Sequence, residues 1–91
     1  MPTNVDLSRL TRQFQALSDE TRLRIIDMLR SGERCVCDLT EALDAGQSRL
    51  SFHLKVLKDA GLIIGCEDGN RVCYCVDAAV VARFKDLVAA L

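Results

Sequence analysis

Ninety-one residues, 49% hydrophobic and 27% charged, with five glycines and one proline, have the composition and size of one globular domain. That excludes a disordered or collagen-like chain, and it leaves no room for a catalytic domain with a second lobe. The net charge is −1 at pH 7, so any contact with nucleic acid must come from a local patch and not from a global basic field.

No apolar run reaches the ~18 residues that a membrane span requires. Met1 to Asp6 lack the charged and apolar regions of a signal peptide. The expectation is a cytoplasmic chain with no membrane partner. An odd count of five cysteines in that reducing compartment argues against a disulfide framework and for metal or redox chemistry.

Leu7, Leu10, Phe14 and Leu17 recur at helical spacing and predict a first helix near residues 5–17. Ser18 is a good N-cap, followed by acids at 19 and 20, and the second helix is expected over about 19–30 with Leu23, Ile26 and Leu29 inward. Ser31-Gly32 ends it. Arg34 to Cys37 is too short for a helix and reads as a single strand. A short third helix follows over 38–43, then a turn at Asp44-Ala45-Gly46, then a fourth helix over about 48–60 with Leu50, Leu54 and Leu57 inward. The period then drops to two. Leu62 to Glu67 and Arg71 to Val76 read as strands flanking Asp68-Gly69-Asn70, a hairpin signal. Asp77 can cap a last helix over about 78–90, with Val80, Phe84, Leu87, Val88 and Leu91 on one stripe. The order is helix, helix, strand, helix, helix, hairpin, helix. This mainly α chain with a small β-hairpin is expected to be one winged helix-turn-helix domain over residues 1–91, with the fourth helix as its recognition helix.

Several separated blocks then resemble the ArsR–SmtB family of metal-sensing repressors. Leu17-Ser18-Asp19-Glu20-Thr21-Arg22-Leu23-Arg24-Ile25 resembles the family's opening signature. Gln47-Ser48-Arg49-Leu50-Ser51-Phe52-His53-Leu54-Lys55-Val56-Leu57 is similar to its recognition helix. Ala60-Gly61-Leu62-Ile63 and Val72-Cys73-Tyr74 resemble its wing. The resemblance implies a homodimer, here through the first and last helices, that binds a palindromic operator and lets go when an inducer binds. Cys35-Val36-Cys37-Asp38-Leu39 is similar to the sensor motif of the arsenic-responsive branch, which often carries a third cysteine where this chain has Thr40. The zinc-sensing branch places Asp and His ligands on the last helix, and no histidine lies in residues 77–91.

Gln47, Ser48, Arg49, Ser51, His53 and Lys55 are polar groups clustered on one helix. Arg, Gln and Ser can read base edges, while Lys and Ser can hold phosphates. Asn70 and Arg71 at the wing tip are further candidates for DNA contact. His53 reads more readily as a helix residue near phosphate, or packed at the helix–wing junction, than as a metal ligand. It has no second histidine or paired ligand at helical spacing.

Cys35-Val36-Cys37 is not the C-x-x-C of a zinc knuckle, and thiolate-only sites select soft ions such as trivalent arsenic or antimony. Cys37 precedes the third helix, whose dipole favours the thiolate. Strand alternation turns Cys73 and Cys75 to one face and Val72, Tyr74 and Val76 to the other, and on the same logic Cys35 and Cys37 point opposite to Val36. The resemblance implies that the short strand pairs with the last wing strand, which puts four thiols on one side of a small sheet. A wing thiol then replaces the ligand missing at Thr40. Cys66 joins them if Gly69-Asn70 is a two-residue loop, and falls out of register if Asp68 belongs to the loop.

The function expected is therefore a non-enzymatic, homodimeric repressor released from operator DNA by As(III) or Sb(III), with no organic cofactor. No Ser–His–Asp set, phosphate loop or paired-acid motif is present. Its rivals are a sensor of mercury, cadmium or lead at the same thiols, a thiol redox sensor, and a winged-helix dimerisation module with no DNA role.

Overall fold

The structure, a computed structural model, describes residues 4–91. Residues 1–3, part of the segment read above for a signal peptide, lie outside the described residues. Helices and strands follow in the order α1 (Asn4–Ala16), α2 (Glu20–Leu29), β1 (Arg34–Cys35), α3 (Val36–Leu43), α4 (Gln47–Asp59), β2 (Ile63–Asp68), β3 (Arg71–Val76) and α5 (Ala78–Ala89). This is the winged helix-turn-helix order expected. No helix among the described residues is long and apolar enough to cross a membrane.

One core of Ala16, Ile25, Leu29, Leu39, Leu50, Leu54, Leu57, Leu62 and Ile63 joins α1 to α4 and the wing. The α4 stripe is the one predicted. The phases of α1 and α2 differ from expectation. In α2, Ile25 and Leu29 are the buried pair, and Leu23 is 49% exposed. Arg22 sets that phase: its Nε donates to Ala16 O at 2.7 Å and its Nη1 pairs with His53 Nδ1 at 3.0 Å, so the inward line runs 22, 25, 29. In α1, Leu10, Gln13 and Ala16 are buried, while Leu7 and Phe14 stay partly exposed. Phe14 meets Phe84 of α5 edge-on, with ring centroids 5.3 Å apart. No residue of α5 is fully buried.

Caps explain two boundaries. Asp19, not Ser18, is the N-cap of α2: its carboxylate accepts from Arg22 N at 3.1 Å, while Ser18 Oγ donates back to Gln15 O. Asp77 caps α5 as expected, accepting from Val80 N at 3.2 Å.

The largest correction concerns residues 34–37. β1 is only Arg34–Cys35, and Val36 and Cys37 already belong to α3. Cys35 is the extended N-cap residue (φ −83°, ψ 160°), and Asp38, at the third helical position, accepts from Cys35 N at 3.4 Å. That reciprocal cap starts the helix two residues earlier than apolar spacing indicates.

The sheet order is β1-β3-β2, antiparallel throughout. Asp68 pairs with Arg71, so the loop is the two-residue Gly69-Asn70. Gly69 takes φ 65°, the left-handed position that a type II′ hairpin turn reserves for glycine at its first central residue. That register sets Cys66 opposite Cys73 and Cys35 opposite Cys73, a row of three cysteines across the sheet.

Candidate functional site

Cys35 and Cys37 meet because the chain turns from strand to helix between them. Their sulfurs are 2.8 Å apart, and Cys35 Sγ lies 3.0 Å from Asp38 Oδ2. Among the described residues, Cys35, Cys37 and Asp38 form the group of potential metal ligands whose donor atoms all lie within 4.8 Å of one another. Arg71 reaches this group from β3: its Nη2 donates to Cys35 Sγ at 2.6 Å and approaches Cys37 Sγ at 3.6 Å.

The electrostatics divide the two thiols. Hydrogen bonding to Asp38, then to Cys37, raises the Cys35 pKa above its ordinary value, and burial adds to this. Hydrogen bonding from Cys35, then from Arg71, lowers that of Cys37. Asp38 is itself held below the usual carboxylate value by the Cys35 side chain and backbone N–H. Cys37 is thus the more acidic thiol of the pair, favoured by specific donors as well as by its place in the first turn of α3.

The remaining thiols sit elsewhere on the sheet. Tyr74 and Val76 pack against the core, so alternation sends Cys73 and Cys75 to the opposite face. In a two-residue hairpin the pair flanking the loop is hydrogen-bonded, and by alternation so is Cys66↔Cys73. Cys73 therefore turns its N–H and C=O to β2, and its pairing with Cys35 is of the closer, non-hydrogen-bonded kind. Burial, then a hydrogen bond to Glu33, pushes the Cys66 and Cys73 thiols up to about 11, and Cys66 also contacts Cys75. Cys35, Cys66, Cys73 and Cys75 share a sheet face, whereas the expected four were Cys35, Cys37, Cys73 and Cys75. Cys37 does not, because it is helical, yet it joins Cys35 through the cap.

A cleft of about 680 Å³ connects the thiol pair to α4; Cys35, Cys37 and Arg71 face Gln47, Ser51 and Lys55 across it. Gln47, Ser48, Arg49, Ser51 and Lys55 are all exposed, and Gly46 leaves the start of α4 without a side-chain cap. Lys55 pairs with Asp59 at 3.0 Å in an exposed bridge. Asn70 is exposed in the wing turn.

Two predicted DNA-contact residues are placed differently. His53 is 6% exposed and packed against Arg22 and Asp19, so it anchors α4 and does not present a solvent-facing donor. Arg71 lies on the thiols and does not reach out from the wing tip. Asp38, Glu33 and Arg22 were missed as participants. The Cys-x-x-Asp spacing is a capping-box pattern and could have revealed Asp38. Glu33 and Arg22 act through tertiary partners that local spacing does not encode.

A profile of the bacterial regulatory protein, arsR family, matches residues 19–64. The chain is 48% identical over 58 residues to an arsenical resistance operon repressor of Bacillus subtilis (strain 168); the match covers 63% of this chain and 55% of that protein. It is 40% identical over 72 residues to the arsenical resistance operon repressor of Staphylococcus aureus, covering 79% and 69% of the two chains. The chain thus spans about half the length of the Bacillus relative and rather more of the Staphylococcus one. Among solved structures, it superposes with a TM-score of 0.82 and 30% identity on a homodimeric winged helix-turn-helix DNA-binding domain from Mycobacterium bovis, a possible ArsR-family regulator, covering 98% of this chain and 85% of that one. With the expected element order, the helix-turn-helix and the Cys35–Cys37 pair at the start of α3 all in place, the chain belongs to the arsR family of bacterial regulatory proteins.

Proposed function

We propose that this chain is a cytoplasmic, non-enzymatic repressor that binds a palindromic operator as a homodimer and is released by trivalent arsenic or antimony at Cys35 and Cys37. The observation that carries this reading is the Cys35–Cys37 sulfur pair, 2.8 Å apart, opening onto the same cleft as Gln47, Ser51 and Lys55 of α4. Two adjacent sulfurs, one of them with its pKa lowered, are the donors a soft trivalent centre prefers. Cys35 and Cys37 would hold the ion, and Cys73, facing Cys35 across the sheet, is the third thiol best placed to join them. Such an ion supplies a soft acceptor that competes with protons for the sulfurs. Cys75 and Cys66, grouped with Glu33, are proposed as outer members of the same thiol face.

On the DNA side, Gln47, Ser48 and Arg49 read base edges while Ser51, Lys55 and Asn70 contact phosphates. His53 acts by holding α4 to Arg22. Leu7, Phe14, Val88 and Leu91 leave apolar surface exposed on α1 and around α5, and covering it in a two-fold dimer matches the homodimeric relative. Since β1 leads directly into α3, any shift of the thiol pair moves the helix-turn-helix, and DNA must weaken inducer binding by the same factor that inducer weakens DNA binding.

A second reading is favoured by Asp38. A carboxylate beside two sulfurs also suits a divalent thiophilic ion such as cadmium. Fluorescence anisotropy of a labelled promoter fragment, titrated with protein and then with arsenite, antimonite or cadmium, tests both. Release by arsenite or antimonite supports the first reading, release by cadmium alone supports the second, and failure to bind the fragment refutes the regulatory role.

A further inference from the structure

We propose that Arg71 is a latch that ties the wing to the sensor thiols in the ion-free protein and gives way when an inducing ion binds. This rests on the reading of Cys35 and Cys37 as the inducer site, and it names the regulation of that site. Arg71 is the first residue of β3, directly after the wing turn, and it shares the sheet face of Cys73 and Cys75. Its guanidinium does not extend from the wing tip. It folds back, with Nη2 at 2.6 Å from Cys35 Sγ and 3.6 Å from Cys37 Sγ, so one nitrogen occupies both sulfurs. An ion bridging both sulfurs competes with Nη2 for the space beside them and for the lone pairs it draws on, so coordination and the Arg71 contact oppose each other.

The consequence for affinity follows from linkage. The Arg71 contact lowers the free energy of the ion-free state and is weakened once an ion takes the space beside the sulfurs. Whatever stabilises the unliganded state alone weakens binding. Arg71 therefore holds the inducer affinity down, even though the same guanidinium favours the thiolate.

The consequence for DNA follows from position. The contact crosses from β3 to the β1–α3 junction and closes one wall of the cleft whose other wall is α4. With it made, the wing is held against the helix-turn-helix. With it broken, the wing loses that tie, and Arg71 becomes a loose cation at the wing base. Occupation of the thiols thus removes the side-chain tie between the wing and the β1–α3 junction, while the β1–β3 pairing remains.

Calorimetric titration of arsenite into DNA-free wild-type, Arg71→Met and Arg71→Lys proteins tests this, together with operator binding of each with and without arsenite. Arg71→Met should bind arsenite more tightly than wild type by about fivefold or more, the lower range of ordinary coupling, with Arg71→Lys between them. Arg71→Met should also bind operator less tightly without arsenite, and arsenite should weaken it by a smaller factor than wild type. A change in protein packing alone would not tighten arsenite binding. A wild type that binds arsenite and releases DNA, beside an Arg71→Met protein with equal or weaker arsenite affinity, overturns the latch and leaves the inducer site standing. A wild type that binds no arsenite overturns the inducer site and the latch with it. If Arg71→Met does not fold, Arg71→Lys carries the comparison, because a lysine gives one point contact where the guanidinium spans two sulfurs.

Discussion

Replacing Leu50 by alanine asks whether α4 presents the face assigned to it. Leu50 is fully buried and packs in the core with Ile25, Leu29, Leu39, Leu54 and Leu57. Its neighbour Arg49 is exposed. Truncating a buried leucine costs about 2–5 kcal/mol, through lost burial and the cavity left behind. A domain of this size has a total stability of roughly 5–15 kcal/mol, so the change removes a large fraction of it. The melting temperature should fall by about 10 °C or more. Arg49→Ala should stay within about 0.5 kcal/mol, as exposed substitutions do. Urea unfolding of both variants at one fixed protomer concentration measures the difference, since dimerisation makes stability concentration-dependent. If Leu50→Ala costs less than about 1 kcal/mol while Arg49→Ala costs more, α4 is rotated and the proposed DNA-reading face is the wrong one.

Operator binding supplies a second test. Arg49→Ala should cost about 1–3 kcal/mol with relaxed specificity, whereas Lys55→Ala should weaken all sequences alike and lower the salt slope by about 1. The wing thiols supply a third. Cys66 and Cys73 have folded pKa values of about 11, above their ordinary 9.0, so the stability they contribute is complete below pH 9.0 and is lost as pH rises toward 11. Thermal melts should weaken across that window, and the Cys66→Ser, Cys73→Ser double variant should show a flatter decline; equal slopes would count against the buried, Glu33-bonded thiols. For the arsenite-bound protein, X-ray absorption should show one fewer sulfur neighbour in Cys73→Ser and no change in Cys75→Ser. The reverse pattern would move the third ligand to Cys75.

Much of this architecture is legible from spacing. Leu50, Leu54 and Leu57 mark the inner face of α4 because they are apolar and recur at helical period. Asp68-Gly69-Asn70 marks the hairpin because glycine suits its left-handed turn position. Spacing misleads where polar groups occupy interior positions. Gln13 is buried in α1, and Arg22 lies on the inner line of α2 through partners far along the chain, so both helices are rotated from their apolar stripes. The strand assigned to residues 34–37 fails for a different reason. Four residues carry too little periodicity to separate strand from helix, and a reciprocal Cys35–Asp38 cap decides it. Residue type, spacing and the resemblance to the family's sensor motif mark the thiol pair, yet its geometry comes from that helical start and not from strand alternation. Arg71 was assigned to DNA because wing tips bear cations. Its contact with Cys35 depends on the β1–β3 register, which the sequence pattern leaves unspecified.

The central claim is that Cys37, beside Cys35, senses the inducer without contributing to DNA contact. Arsenite titration of the operator complex of Cys37→Ser, beside wild type, tests it most directly. The serine substitution leaves Cys35, Arg71 and every residue of α4 in place, so the variant should bind operator as wild type does. It should then stay bound at arsenite concentrations that release wild type. A Cys37→Ser protein released by arsenite as readily as wild type would contradict the account.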